Sequence, residues 1–299
     1  IAPFKKGPDF IDMAWLSRAA MRQCRNLDIY LMGETKTVDS FYKWSYDVDI
    51  SIIEGNRGLF DGFDEKGSFS TANLAKLLLT KVILILDCTK MTNSVAAIIT
   101  GCQNFDPQLE ISGVILNRIA GIRHEKILKD SISYHTDVPV VGIIPKLKEE
   151  IIFERHLGLI PPQEHDEADI IIEKIRKIVG KNLDFDEIVK LAENKPNPEY
   201  KREKINRIET TRKNLPRISM TRTVGILRDR AFTFYYPENI ESLKEYTDNI
   251  IEINAITDTL LPDIDFLYIG GGFPETQAEL LEKNVTFMQS LKLKVENGL

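Results

Sequence analysis

Hydrophobic positions in the first 160 residues repeat one pattern: an apolar run rich in β-branched residues, a polar or glycine-containing turn, and a stretch with helical periodicity. Near-continuous apolar runs that alternate with helices are typical of parallel strands covered on both faces. The pattern therefore predicts a doubly wound α/β domain. The predicted strands are 48–53, 82–87, 111–117 and 138–144, and the predicted helices are 67–80, 92–104, 122–135, 164–179 and 186–193.

The composition changes after this domain. Between Lys195 and Arg222 there are nine Lys or Arg residues against three Glu, together with three prolines and little apolar periodicity. Such a stretch predicts a solvated linker, and an anion-binding surface is the alternative. The α/β pattern then restarts, so we predict a first domain at 1–193, a basic linker at 194–222 and part of a second domain at 223–299. The second domain has predicted strands at 223–228, 250–253 and 266–269 and predicted helices at 237–247 and 275–296.

Composition narrows the class of protein. With 299 residues, 43% of them hydrophobic, the chain can bury two domain cores. A net charge of −6 argues against a nucleic-acid partner, and no apolar run reaches the roughly 18 residues that a membrane helix needs. Three cysteines without metal-ligand spacing fit a reducing compartment, so we expect a soluble cytoplasmic protein with no membrane partner.

Candidate chemistry first appears where the predicted strand 48–53 ends. The next nine residues, 54–62, contain Glu54, Asp61 and three glycines, of which Gly55 and Gly58 lie between the acids. Open α/β sheets bind ligands at the carboxyl ends of their strands, and glycine lets the backbone approach an anionic ligand closely. Two solvated loop acids are the alternative.

A second acidic pair, Asp9 and Asp12, lies at the predicted start of a helix, close to Lys5 and Gly7. Helix capping by Asp9 is the structural explanation. Acids at the mouth of a parallel sheet can also hold Mg²⁺ and leave its other positions to water and nucleotide phosphates. Glu54 and Asp61 would then form the other side of that site.

Eight short motifs extend along nearly the whole chain. They are Lys-x-Gly-Pro-Asp-Phe-Ile-Asp (5–12), Cys-Arg-Asn-Leu-Asp (24–28), Glu-Gly-x-x-Gly-Leu-Phe-Asp-Gly (54–62), Ser-Thr-Ala-x-Leu-Ala (70–75), Gly-Val-Ile-Leu-Asn-Arg (113–118), Arg-His-Leu-Gly-Leu (155–159), Arg-Asp-x-Ala-Phe-x-Phe-Tyr-Tyr-Pro-Glu-Asn (228–239) and Gly-Gly-Gly-Phe-Pro-Glu (270–275). In this order they resemble the cobyrinic acid a,c-diamide synthase family of glutamine-dependent amidoligases.

The resemblance implies an amino-terminal domain similar to dethiobiotin synthase, of the phosphate-loop type, and a carboxyl-terminal domain similar to class I glutaminases. The implied enzyme is a carbon-nitrogen ligase of cobalamin biosynthesis. It uses ATP and Mg²⁺ to convert the a- and c-acetate carboxylates of cobyrinic acid to acyl phosphates, which ammonia from glutamine then amidates. The implied partners are thus the macrocycle, ATP and glutamine, and the resemblance allows a homodimer.

The resemblance also implies residue roles. Asp9, Asp12, Glu54 and Asp61 would serve the metal, nucleotide and acyl phosphate, with Mg²⁺ on Asp9, Glu54 and Asp61. The cofactor-binding candidates are Lys5, Gly7, Gly55 and Gly58. The substrate-binding candidates are Arg25, Asn26, Asp28, Ser70 and Thr71, and for Ser70 and Thr71 helix capping is the alternative. Gly271 and Gly272 would lie in the oxyanion-hole region of the glutaminase.

The sequence also departs from the family pattern. No Gly-x-x-x-x-Gly-Lys-Ser/Thr phosphate loop is present, and the family's glutaminase cysteine has no counterpart in the second domain. We therefore expect an internal fragment that lacks the first strand with its phosphate loop and the end of the glutaminase, and that is inactive alone. A nickel-sirohydrochlorin a,c-diamide synthase and a non-catalytic binding module are the alternatives.

Overall fold

The computed structural model describes residues 1–148, 151–152, 154–155, 158–193, 222–247 and 249–299. The chain divides into two compact units, Ile1–Glu209 and Thr210–Leu299. The strands of the first unit are β1 Ala2–Lys6, β2 Arg25–Leu27, β3 Ser51–Glu54, β4 Val82–Asp87, β5 Ile111–Ile119, β6 Val140–Pro145, β7 Glu154–Arg155 and β8 Gly158–Leu159. Its helices are α1 Ile11–Ala20, α2 Ile29–Trp44, α3 Thr71–Leu78, α4 Ser94–Phe105, α5 Ile122–His135, α6 Ala168–Asn182 and α7 Phe185–Ala192, with a 3₁₀ turn at Pro162–Glu164.

The first unit contains two three-stranded parallel sheets, in the orders β2-β1-β3 and β4-β5-β6. Strands alternate with helices, so the predicted parallel α/β class is confirmed. A single continuous sheet is not formed by the described residues, because no ladder joins β3 to β4. Each of these two strands lies at an edge of its own sheet.

Each sheet has its own apolar core, and the core of the β4-β5-β6 sheet follows from the sequence pattern. The uninterrupted run Val-Ile-Leu-Ile-Leu forms β4, since β-branched and large apolar side chains suit a pleated surface. The core of the β4-β5-β6 sheet includes Leu84, Val95, Ile99, Val114, Leu116, Leu128 and Ile132. The core of the β2-β1-β3 sheet includes Phe4, Leu27, Val38, Phe41, Leu74 and Leu78.

Several boundaries differ from the sequence prediction for local reasons. The strand predicted at 48–53 begins only at Ser51, because its pairing with β1 starts with Ser51 opposite Ala2. The helix predicted from 164 begins at Ala168, after the 3₁₀ turn that follows Pro161. Strands β1 and β2 and helix α2 were not predicted, since β2 is only three residues long and two of them are polar.

The second unit is a smaller parallel sheet with helices. Its strands β9 Val224–Leu227, β10 Ile250–Ile253 and β11 Phe266–Ile269 pair in the order β10-β9-β11. Its helices are α8 Pro237–Tyr246, α9 Ala278–Lys283 and α10 Val285–Glu296, with a 3₁₀ turn at Pro274–Gln277. The single helix predicted at 275–296 is interrupted at Asn284, whose side-chain amide donates to the carbonyls of Ala255 and Asp258, both at 2.8 Å.

The predicted basic linker lies outside the described residues except for Arg222. Among the helices that the structure describes, none combines the length and the apolar character needed to cross a bilayer.

Candidate functional site

The candidate site begins on one rung of the β2-β1-β3 sheet. Lys5, the fourth residue of the central strand, pairs with Asn26 on one side and with Glu54 on the other. Both Lys5 and Asn26 are only 3% exposed. Because all three strands are parallel, the loops that follow their carboxyl ends emerge at the same edge of the sheet. The acidic motifs 5–12 and 54–62 therefore meet there.

The buried ammonium of Lys5 links three carboxylates. Its Nζ donates to Asp12 Oδ2 at 2.7 Å and lies 3.3 Å from Glu54 Oε2 and 4.0 Å from Asp9 Oδ2. It also donates to the carbonyl of Gly55 at 3.3 Å. We call Lys5, Asp9, Asp12 and Glu54 the acid cluster.

Electrostatics within the acid cluster favour a charged lysine and penalise the carboxylates. Burial would lower the pKa of Lys5, but the hydrogen bond to Asp12 and the charges of Glu54, Asp12 and Asp9 outweigh it and raise that pKa. Burial raises the pKa of Glu54, opposed by Lys5 and reinforced by Asp12. Burial likewise raises the pKa of Asp9, despite the backbone hydrogen bonds that its carboxylate accepts. The cluster therefore has an excess of negative charge, held partly out of water.

The loop between β1 and α1 holds the first acidic pair in place. Asp9 Oδ1 accepts from the N–H groups of Ile11 at 2.9 Å and Asp12 at 3.0 Å, so its carboxylate caps α1 as predicted. Gly7 has φ +81°, a left-handed conformation that glycine adopts without strain. The Asn26 amide donates to the carbonyls of Gly7 at 2.7 Å and Asp9 at 2.9 Å. Asn26 thus fixes the loop that carries the acids.

The loop after β3 is packed through its glycines. A side chain at Gly58 would place Cβ 2.4 Å from Asp61 Oδ2, and one at Gly55 would place Cβ 2.8 Å from a Thr71 methyl carbon. Asp61 Oδ2 accepts from the Gly58 N–H at 3.1 Å. The hydroxyl of Thr71 accepts from Asn56 N–H at 3.2 Å. A larger residue at either glycine would therefore displace the side chain of Thr71 or Asp61.

In the second unit, the glycine turn after β11 packs against the segment 231–235. The Gly270 N–H donates to the Tyr235 hydroxyl at 2.8 Å, and that hydroxyl donates to the Leu227 carbonyl. The Phe234 N–H donates to the Gly271 carbonyl at 2.9 Å. A Cβ at Gly272 would lie 2.0 Å from the Ala231 carbonyl oxygen. Burial raises the pKa of Tyr235, which keeps its hydroxyl neutral as a donor.

Comparisons with known proteins agree with this arrangement. Residues 17–150 match the model of an AAA domain, and residues 223–299 match the model of a CobB/CobQ-like glutamine amidotransferase domain. A cobyrinate a,c-diamide synthase from Magnetococcus marinus is 39% identical over all of this chain and 63% of its own length. The synthase of Methanosarcina barkeri is 38% identical over all of this chain and 62% of its own length. The synthase of Archaeoglobus fulgidus is 37% identical over 95% of this chain and 60% of its own length.

The chain belongs to the cobyrinate a,c-diamide synthase family. The resemblance drawn from the eight motifs is thereby confirmed. The chain spans about three fifths of the length of these curated relatives.

The structure brings together only some of the residues for which the synthase family implies a role. Asp9, Asp12 and Glu54 surround Lys5, whereas Asp61 lies outside the acid cluster and turns back onto Gly58. Asp28 caps α2 by accepting from Tyr30 N–H at 2.9 Å and Leu31 N–H at 3.1 Å. Their predicted catalytic, metal and substrate roles stay predictions.

Three further substrate-binding candidates have structural contacts of their own. Arg25 is buried with its guanidinium carbon 3.6 Å from the centre of the Trp44 ring. Ser70 caps α3 by accepting from Asn73 N–H at 3.3 Å, and Thr71 braces the loop after β3. The capping alternative thus accounts for Ser70, and the positions of Arg25 and Thr71 favour structural roles for both.

The acid cluster has donors suited to the Mg²⁺ that the synthase family implies. Carboxylate oxygens are hard ligands of the kind that Mg²⁺ prefers, and the three carboxylates outnumber the single ammonium. In the described residues, however, no three or more His, Cys, Asp or Glu side chains are arranged as a metal site. The predicted metal set of Asp9, Glu54 and Asp61 is not assembled here and stays a prediction.

Sequence reasoning missed the structural role of Asn26, which it assigned to the macrocycle. The signal that could have revealed it is the spacing of motifs 5–12 and 24–28, which places Asn26 beside Lys5 once β1 and β2 pair in parallel. Because β2 was not predicted, the register of β1 against β2 could not be predicted either.

Proposed function

We propose that the full-length protein is a glutamine-dependent amidoligase that converts the a- and c-acetate carboxylates of cobyrinic acid to amides, with ATP as co-substrate. The likeness to cobyrinate a,c-diamide synthases over the whole chain supports the reaction. The observation that carries the proposal is the acid cluster, which lies where parallel strands end and where such sheets bind ligands.

We assign residues 1–193 to the synthetase domain, 194–222 to a linker and 223–299 to the front of the glutaminase. In the synthetase domain, a carboxylate substrate is a poor electrophile, and phosphorylation by ATP gives it a leaving group. Asp9, Glu54 and Asp61 would hold Mg²⁺, which neutralises phosphate charge when bound. Lys5 holds the side chains of Asp12 and Glu54 in position, and Asn26 fixes the loop of Asp9.

In the glutaminase part, the glycine turn would present Gly271 and Gly272 near the oxyanion of the reacting amide. One such donor contributes about 3 kcal/mol to the transition state. The Tyr235 hydroxyl holds the start of this turn through Gly270 N–H, so the position of the turn depends on a buried side chain. Ammonia released here would attack the acyl phosphate formed in the synthetase domain.

The full-length protein tests the proposal directly. Incubated with ATP, Mg²⁺, glutamine and cobyrinic acid, it should form the a,c-diamide, detected by mass spectrometry, with ADP and phosphate as co-products. Nickel sirohydrochlorin serves as the second substrate in a parallel reaction. If nickel sirohydrochlorin alone is amidated, the assigned macrocycle is wrong, and if neither is amidated, the proposed activity is wrong.

Two substitutions separate the half-reactions. Glu54→Gln and Asp61→Asn should each abolish ATP-dependent amidation while glutamine hydrolysis stays measurable, because both residues lie in the synthetase domain. Glu173→Gln is a matched control: Glu173 is 43% exposed, against 45% for Glu54, and lies on α6, where it pairs with Arg176. Amidation by Glu54→Gln at the control rate would remove Glu54 from the proposed mechanism.

A further inference from the structure

Three aromatic rings meet at the edge of the β2-β1-β3 sheet where its strands end. The ring of Tyr30 stacks on that of Phe63 with centroids 5.8 Å apart and planes inclined by 20°. The ring of Phe69 meets Tyr30 edge-on, with centroids 5.4 Å apart and planes inclined by 76°. We call Tyr30, Phe63 and Phe69 the aromatic ledge.

The topology places the aromatic ledge at the end of the central strand. Tyr30 follows β2 and Phe63 follows β3, and these two strands lie on either side of β1. Since the rings make contact, the first turn of α2 and the loop after β3 converge at the carboxyl ends of these strands. That end carries Lys5 and leads into Asp9 and Asp12, so the ledge and the acid cluster share one edge of the sheet.

The aromatic ledge is open to solvent. Tyr30 is 63% exposed and Phe63 is 77% exposed, while Phe69 is half-buried behind them. A folded chain gains little by stacking two exposed rings on each other, since most of their apolar surface still contacts water. Clustered exposed aromatic rings are typical of a surface that binds a partner or ligand.

Two cations that interact with each other lie at the same edge of the sheet. Lys6 is the last residue of β1, and Arg57 is an exposed residue of the loop after β3, with φ +58°. Burial lowers the pKa of Lys6, and the positive charges of Arg57 and Lys5 lower it further against the opposing charge of Asp28. Among the described residues, neither Lys6 nor Arg57 forms an ion pair. An anionic ligand would relieve this repulsion.

We propose that the aromatic ledge, with Lys6 and Arg57, binds the macrocyclic substrate. The chemistry that fits is a conjugated macrocycle carrying peripheral carboxylates: part of the ring packs on Phe63 and Tyr30, and the carboxylates reach Lys6 and Arg57. This rests on the proposed function, which requires an acetate carboxylate of the same macrocycle to reach the acid cluster. The position of the ledge on that shared edge favours the macrocycle over a ligand bound elsewhere on the sheet.

The test uses the full-length protein and cobyrinic acid. Tyr30→Ala and Phe63→Ala should each raise the KM for cobyrinic acid about two- to tenfold, the range expected for losing one aromatic contact, and should weaken its equilibrium binding without ATP equally. Tyr30→Phe should raise the KM less than Tyr30→Ala, because the ring and not the hydroxyl makes the contact. Arg57→Met should raise the same KM, with a salt dependence weaker than that of the wild type.

Controls separate binding from folding and from the proposed function. The KM for ATP and the rate of glutamine hydrolysis should be unchanged in every variant. Tyr134→Ala removes an exposed ring from α5, far from the ledge in sequence, and should change none of these values. The inference is overturned if Tyr30→Ala and Phe63→Ala match Tyr134→Ala, or if the KM for ATP rises instead, which would assign the ledge to the nucleotide.

The activity of the wild-type protein distinguishes failure of the ledge assignment from failure of the proposed function. If the wild type amidates cobyrinic acid while the ledge variants keep its KM, only the location of the macrocycle is wrong. If the wild type neither binds nor amidates the macrocycle, the proposed function fails and the ledge assignment fails with it.

Discussion

Removing the ammonium at the centre of the acid cluster should destabilise the first unit more than removing any surface lysine. Lys5→Met keeps the apolar stem of the side chain but deletes the charge that is bonded to Asp12 at 2.7 Å and lies 3.3 Å from Glu54. Breaking a buried ion pair by removing one partner costs about 3–5 kcal/mol. We take the lower end, about 3 kcal/mol, because the carboxylates are partly solvated, and expect an unfolding temperature lower by roughly 6–12 °C.

The assay for this prediction is thermal unfolding of the full-length protein followed by circular dichroism, with Lys129→Met as the control. Lys129 pairs with Glu125 at 3.1 Å on the exposed face of α5, and such surface pairs contribute about 1 kcal/mol or less. Adding Asp12→Asn to Lys5→Met should recover part of the loss, because one of the unpaired carboxylates is then gone. A Lys5→Met shift no larger than that of Lys129→Met would refute the view that the buried lysine neutralises the cluster.

Three further predictions concern single residues. Glu54→Gln should raise the free energy of unfolding near pH 7. Because the pKa of Glu54 is raised in the folded protein, its negative charge destabilises the fold above that pKa, so the gain in stability should fade as the pH falls through it. A gain in stability that grows toward acid pH would contradict this. Asn26→Ala leaves the carbonyls of Gly7 and Asp9 without their donor, so the KM for Mg²⁺-ATP should rise while the KM for the macrocycle stays constant; the reverse pattern would restore a direct contact between Asn26 and the macrocycle. Gly272→Ala places Cβ 2.0 Å from a backbone oxygen and should lower the free energy of unfolding, measured with urea, by about 2–3 kcal/mol. Gly180→Ala on α6 is the control: nothing lies within 4 Å of its Cβ, so it should be neutral or stabilising.

The parallel α/β class was accessible from the sequence because its strands are long apolar runs. Strand β4 and helix α5 have the bounds that the pattern predicted, since each is flanked by polar turn residues. Strand β2 could not be predicted from the sequence, because three residues, two of them polar, show no periodicity. Its formation depends on pairing with β1. Tertiary contacts likewise divide the last predicted helix, where Asn284 bonds to two carbonyls that are distant in sequence.

The residues of the candidate site could be predicted from the motifs, but their contacts could not. Spacing alone suggested that Asp9, Asp12 and Glu54 approach one another, and the structure joins all three through Lys5. The ammonium of Lys5, a cofactor-binding candidate, contacts carboxylates of its own chain, because the register of β1 against β3 sets it beside Glu54. Its binding role stays a prediction. No motif spacing encodes that register.

The outer strands β3 and β4 have a practical consequence for anyone handling this chain. Each lies at the border of its sheet, and no other described strand pairs with its free side. Unpaired N–H and C=O groups along such a border accept any extended peptide, including another copy of the same chain. Ile52 on β3 and Ile85 on β4 are also solvent-exposed, which adds an apolar attraction to the hydrogen bonding. Preparations of this stretch should therefore become turbid as their concentration rises, and a short β-forming peptide that pairs with either border should keep them clear.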